Sequence, residues 1–271
     1  MSTPAGALAL VILLCACESP GNGNGNAEPP DDLIRGRVVR VNDGDSAVVA
    51  TDDSDVEVRL MGVNAPEQDE CHSQDSTNHL ADLIEGESVA LEVTSTDQFD
   101  RTLAYVWLDG LLVNQELVSR GFAIATTPSQ EGDPHGEMVL AAEDAAFEAG
   151  LGLWSQTVCG SDGPLPEVVV DARASVFDPS GPDEDVLDEE WVLLTSVETV
   201  DAGRWTIRDE SSQHRCHLPS GTMIAQGRGL TVTSADGCWD PGGSSVWNNG
   251  GDMILVLDDS GTVVERHRYG P

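Results

Sequence analysis

NDGDSAVVATDDSDVEVRLMGVNAPE, residues 42–67, is the stretch on which the fold turns. Two apolar runs, residues 47–50 and 56–63, flank the turn-forming cluster Thr51-Asp52-Asp53-Ser54-Asp55, which is the pattern of a β-hairpin. Such a hairpin folds Arg59 back beside Asp45. After the second strand, Pro66 stiffens the exit and presents Glu67 beside the strand ends. A carboxylate, a guanidinium and a second carboxylate therefore converge on one small volume. They supply an oxygen ligand for a hard cation, a planar two-point clamp for a phosphate, and a base for water.

Working outward, residues 34–41 alternate as a strand, with Ile34, Val39 and Val41 expected in the core. Residues 72–85 read as a helix with Leu80, Leu83 and Ile84 inward and Gly86 as its stop. Residues 89–93 and 103–107 give a fourth and a fifth strand, and 113–120 a short helix ended by Gly121. Asp133-Pro134 offers a cap and first turn for a last helix, with an inward stripe of Val139, Ala142, Ala146 and Ala149 and Gly150 as its stop. A length of 271 residues suggests two domains. A Gly/Pro-rich joint at 158–167 precedes a strand-rich region, with strands at 168–170, 191–195, 205–208, 230–233 and 253–257. That spacing of strands and turns predicts a β-sandwich of about 100 residues.

The charge is extreme: 48 acidic residues against 13 basic ones, net −35, and every basic residue is Arg. Residues 33–160 hold 24 acids and 6 Arg, and residues 161–271 hold 20 and 7. The excess is thus spread along the chain as a global surface property, which excludes a confined acidic tail.

The apolar run at residues 7–16 is too short to span a bilayer and ends Leu14-Cys15-Ala16-Cys17, which resembles a bacterial lipobox with Cys17 as the lipidated residue. Residues 1–17 are therefore expected to be a signal peptide, and 18–32, rich in Gly, Asn and Pro, a flexible tether. Both imply export, to the cell envelope or beyond. Four cysteines remain, two in each proposed region, which favours Cys71–Cys159 and Cys216–Cys238 disulfides. The rival, a metal site on Cys71-His72 and Cys216-His217, has no CxxC spacing to support it.

VNDGDSAVV, VEVRLMGVNAPE, DQFDRTLAYVWLDGLLVNQELVSRGFA and GLGLW, in that order, resemble the thermonuclease (staphylococcal or micrococcal nuclease) domain over residues 33–157. The resemblance implies a mainly β fold, an OB-fold barrel of five strands with three helices. It implies Ca²⁺-dependent hydrolysis of DNA and RNA phosphodiesters. Asp45 and Asn64 match the calcium-side positions, Arg59 and Arg101 the arginines that grip the phosphate, and Glu67 the general base. Asn64 stands where Asp is frequent, and keeps an oxygen ligand without its charge. Phe99 stands where Tyr is common, and residues 126–129 lack the tyrosines that some members place beside the base.

DEEWVLLTS, GRWTIRDESSQHRCHLPSGTMI and VWNNGGDMILVLDDSGTVVERHRY, within residues 168–271, resemble the lamin tail domain, an immunoglobulin-like β-sandwich. No catalytic constellation stands out there, which implies a binding or targeting module. The acidic residues 178–190 have no calcium-loop spacing and read as a solvated loop. A fragment of residues 30–162, holding every candidate catalytic group, is accordingly expected to fold and cut alone. The alternative is a non-catalytic surface binding protein that keeps a degenerate nuclease fold.

Overall fold

The computed structural model describes residues 29–30, 33–127, 133–161, 163–177, 179, 187–211, 213–240 and 246–270. The expectations for Cys15, Cys17, the signal peptide and most of residues 18–32 and 178–190 lie outside them.

The quoted stretch forms the predicted hairpin. Ile34–Asp43 (β1), Ser46–Thr51 (β2) and Asp55–Leu60 (β3) run antiparallel in sequence. Val63–Asn64 (β4), Ser73–Ile84 (α1), Ser88–Thr96 (β5), Thr102–Leu108 (β6), Leu111–Leu112 (β7), Val113–Ser119 (α2), Ile124–Ala125 (β8) and Gly136–Ala149 (α3) follow. The strand order is β3-β2-β1-β5-β6, and a parallel pairing of β3 with β6 closes the sheet on itself. This is the five-stranded barrel with three helices, an OB-fold whose closure removes exposed strand edges. Val49, Val58, Leu60, Leu91 and Val106 fill it, and Leu80 and Ile84 of α1, Leu117 of α2 and Val139 of α3 pack against them.

Three local expectations change. In β1, Val38 is buried and Val39 53% exposed, because a register shift between Val38 and Arg40 puts Val38 and Val41, not Val39, on the core side; Ile34, at the first position of the strand, is 51% exposed. The helix α3 begins at Gly136, two residues later than expected, although the Asp133 carboxylate still accepts the N–H groups of His135 (3.0 Å) and Gly136 (3.1 Å). Its buried stripe stops at Ala146; Ala149 is exposed. Gly121 ends α2 for a steric reason: a Cβ there would lie 2.1 Å from the carbonyl oxygen of Leu151.

The second region comprises Val168–Val170 (β9), Trp191–Ser196 (β10), Val200–Asp201 (β11), Thr206–Arg208 (β12), Arg215–His217 (β13), Met223–Ile224 (β14), Leu230–Thr233 (β15), Trp239–Asp240 (β16), Asp252–Leu257 (β17) and Val263–Tyr269 (β18). Two sheets, β15-β10-β9 and β16-β13-β12-β17-β18, share a core around Val192, Leu194, Ile207, Trp247 and Ile254, consistent with a β-sandwich. Disulfides join Cys71 to Cys159 and Cys216 to Cys238. Glu190, expected in a solvated loop, is buried and accepts the N–H of Val246 (3.1 Å) and the hydroxyl of Ser234.

The two regions share a packed interface. Ile124, Ala146, Leu153 and Trp154 of the first meet Met253 and Leu255 of the second. Glu143, on α3, is fully buried and accepts from the Ala125 N–H (2.9 Å) and from Arg266 (2.7 Å) and Arg268 (3.0 Å) of β18. Arg268 also donates to Thr127 (2.7 Å) and Glu210 (3.0 Å). The expectation that residues 30–162 stand alone is therefore revised. Such a fragment uncovers the apolar face and strips Glu143 of both its cations.

Candidate active site

The hairpin register sets the site. Arg59 pairs with Ser46, the residue after Asp45, and its Nη2 lies 3.0 Å from Asp45 Oδ2. The same nitrogen donates to Asn64 Oδ1 (2.7 Å), while Nη1 donates to the carbonyls of Leu60 (2.9 Å) and Val63 (2.8 Å). One guanidinium thus ties the end of β3 to β4 and holds both candidate cation ligands. Asp45 in turn accepts the N–H of Ala65 (2.7 Å), and Asp43 accepts the Asp45 N–H (3.1 Å) and the Ser46 hydroxyl (2.7 Å). Gly44 is needed between the two acids: a Cβ there would meet Ala65 Cβ at 2.6 Å and Ser76 Cβ at 2.8 Å.

Arg101 reaches the same place from the β5–β6 connection. Its Nε donates to Asp97 Oδ2 (2.8 Å), and its backbone N–H to Asp97 Oδ1 (3.0 Å), so the turn and the side chain are fixed by one carboxylate. Phe99, 65% exposed, lies beneath its guanidinium at 5.6 Å. Glu67 is exposed at the rim, its backbone N–H held by Glu70 (2.8 Å).

All five sequence-predicted residues, Asp45, Arg59, Asn64, Glu67 and Arg101, line one open cleft of about 610 Å³. Asp43, Asp69 and Thr126 join them, as do Ser211, Gln213 and Arg215 from the second region. Sequence reading missed the last three because nothing local links them to residues more than 100 positions earlier. Asp43 was visible in the DGD turn.

The donor chemistry fits a hard, oxygen-seeking cation. Burial pushes the Asp45 carboxyl up to about 7, against the pull of Arg59 and with the help of Asp43. The Arg59 contact and the Ala65 N–H both fall on Oδ2, which leaves Oδ1 as the oxygen that a cation could take. The Asn64 amide is engaged at both ends, by Arg59 and, through its Nδ2, by the carbonyl of Glu210 (3.0 Å), so its oxygen is aimed rather than free to rotate. Among the described residues no three His, Cys, Asp or Glu side chains form a complete cage. Water and substrate oxygens are needed to fill any coordination sphere here.

Residues 57–156 match the model of the staphylococcal nuclease homologue family. An uncharacterized endonuclease of Escherichia coli is 33% identical over 123 residues, which is 45% of this chain and 78% of that protein. The chain belongs to the staphylococcal nuclease homologue family. A thermonuclease of Staphylococcus intermedius is 30% identical over 127 residues, 44% of this chain and 75% of the relative. Of an uncharacterized endonuclease of Haemophilus influenzae, 33% identical over 120 residues, the chain spans 65% of the length. The family match includes Arg59, Asn64, Glu67 and Arg101, while Asp45 precedes it and the three residues contributed by the second region follow it.

Proposed function

We propose that the protein is an exported, Ca²⁺-dependent nuclease that hydrolyses the phosphodiester bonds of DNA and RNA. The observation that carries this reading is the gathering of Asp45, Arg59, Asn64, Glu67 and Arg101, drawn from separate segments, onto one cleft. Arg59 and Arg101 hold the non-bridging oxygens of the scissile phosphate and the charge that grows on them in the transition state. Glu67, exposed at the rim, takes a proton from water, whose oxygen then attacks phosphorus. The P–O5′ bond breaks as the new P–O bond forms, and O5′ leaves with the bonding pair and takes a proton from solvent water, giving a 3′-phosphate and a 5′-hydroxyl. Asp45 and Asn64 would hold Ca²⁺, which when bound supplies charge neutralisation and polarisation of the phosphate.

The two disulfides support export, since they persist in oxidising compartments. Lipidation at Cys17 and a membrane anchor complete that reading, with the second region as a lamin tail-like binding or targeting module. The rival reading, a binding protein with a degenerate site, draws on the four bonds that already occupy Arg59. One assay separates them: cleavage of a fluorescent oligonucleotide by protein lacking residues 1–17, with Ca²⁺ and with chelator. Full activity in chelator, or none under any divalent cation, overturns the proposal.

A further inference from the structure

Ser211, Gln213 and Arg215 come from the second region, yet they line the cleft that holds the candidate catalytic residues. Their placement is fixed. The Arg266–Glu143 and Arg268–Glu143 pairs, the apolar cluster around Trp154 and the bonds from Asn64 and Thr127 to Glu210 lock one region against the other. In a chain with 13 basic residues and a net charge of −35, three arginines on one cleft are a concentration of scarce charge, and Arg215 is one of them.

The present partners of Arg215 are weak. Its Nη1 lies 3.2 Å from Asp69, a side chain 77% exposed, and its Nη2 lies 3.3 Å from Glu70. These distances are long for charge-assisted bonds, and the Asp69 partner is open to solvent, where such a pair contributes little. The buried Nε of Arg215 has no hydrogen-bond partner. Arg215 also lines a second cavity of about 240 Å³ between the two regions, together with Arg208. Arg208 is 4% exposed, and its Nε and Nη1 make no hydrogen bond, with Glu70 3.4 Å away. Leaving guanidinium N–H groups buried and unpaired is costly, and an arriving anion removes that cost.

We propose that the second region is part of the substrate-binding surface: Arg215, flanked by Gln213 and Ser211 and backed by Arg208, holds a backbone phosphate of a single nucleic-acid strand next to the scissile one. Arg215 is a positioning residue for the strand, and the second region extends the cleft by the length that a short substrate does not reach. The proposal rests on the nuclease reading for the location of the scissile phosphate.

The test uses protein containing both regions, with a fluorescent single-stranded 12-mer and a dinucleotide as substrates. Arg215→Ala should raise KM for the 12-mer about tenfold with kcat within about twofold, and leave the dinucleotide unaffected. It should also shift the slope of log(kcat/KM) against log[NaCl] by about 0.7 in the positive direction, as for one lost single-strand phosphate contact. Asp69→Asn, which frees Arg215 from a competing anion, should lower KM. A tether between the regions predicts the opposite pattern, with both variants losing thermal stability alike and KM unchanged, and that result overturns the proposal. Should Arg215→Ala not fold, Gln213→Ala and Arg208→Gln must each raise KM for the 12-mer alone. If the parent protein cuts nothing, the nuclease reading fails separately. Fluorescence anisotropy of the uncut 12-mer then decides the proposal: equal affinity of the parent and Arg215→Ala rejects it, and about tenfold weaker binding by the variant upholds it.

Discussion

Glu67 and the two barrel arginines answer to different forces, so their variants should separate. Glu67 is exposed. Glu67→Gln, which keeps the size and hydrogen-bonding shape of the side chain, should reduce kcat at least about a hundredfold, the loss expected for a general base, and cost little stability. The Arg101 side chain is anchored by Asp97 and rests on the Phe99 ring. Arg101→Lys should cost about a hundredfold in kcat/KM with little loss of stability, because an ammonium cannot reproduce the planar clamp. Arg59 is both clamp and brace, so Arg59→Lys should lose activity and melting temperature together. Kinetics paired with thermal unfolding checks all three; a stable, fully active Arg59→Lys would contradict the geometry. These residues were legible because the Asp45–Arg59 contact is set inside one hairpin, where register follows from alternation and turn position. Glu143, Glu210 and Arg215 were not, since their partners lie 123, 83 and 146 residues away in the chain.

Among the elements, the Cys71–Cys159 bridge and helix α3 decide how the cleft is held. The bridge links the loop after Glu67 to the segment beyond α3 across a separation of 88 residues. In the chain-entropy view, closing so long a loop contributes about 4 kcal/mol, more than the 22-residue Cys216–Cys238 loop. Mild reduction should lower the melting temperature markedly, and a Cys71→Ala, Cys159→Ala pair should reproduce most of that loss. Glu143→Ala leaves two arginines facing a vacated buried position and should destabilise by about 3–5 kcal/mol, measured by denaturant unfolding. The barrel strands could be read from residue patterns, but the inward face of β1 could not. A β-bulge shifts the register by one residue, and no propensity announces it. In the sandwich, five strands were legible from apolar runs. The two-residue strands β11, β14 and β16 and the polar β13 and β18 were not, for they carry too few apolar positions to show a period.

Taken whole, the molecule is a polyanion, and under the proposed function its substrate is one too. Its net charge of −35 repels nucleic acid over about 10 Å at 0.1 M salt, whereas the arginine contacts in the cleft act at hydrogen-bond range. We expect kcat/KM on DNA to rise from low to moderate NaCl at saturating Ca²⁺ and then level. A steep fall from the lowest salt would show that the local arginines outweigh the global field. Acid burial sets a second global property. Asp252 sits under the Asn248–Gly251 turn, accepting the N–H groups of Asn248 and Glu210. Burial, followed by the nearby carboxylates of Glu210 and Asp209, pushes its carboxyl up to about 7. A pKa raised on folding favours the protonated native state, so this contribution to stability is present at low pH and fades as pH climbs through about 7. Glu210 and Glu265 are raised by burial in the same direction. His72, His79 and His267, whose pKa burial lowers, pull the other way across the same interval. The Asp252 share should therefore show as a difference: from pH 5 to pH 8 the parent should lose melting temperature relative to Asp252→Asn, and parallel pH profiles would contradict the assignment.

The bolt between the two regions is threaded from the last strand of the fold, with Arg266 and Arg268 of β18 reaching back to Glu143. At about 5–20 residues per second of synthesis, the 123 positions between Glu143 and Arg266 take about 6–25 s to emerge from the ribosome. Through that interval the nascent barrel carries a bare acidic and apolar flank around Glu143 and Trp154, a face on which a holdase can sit and which a message truncated before β18 never covers.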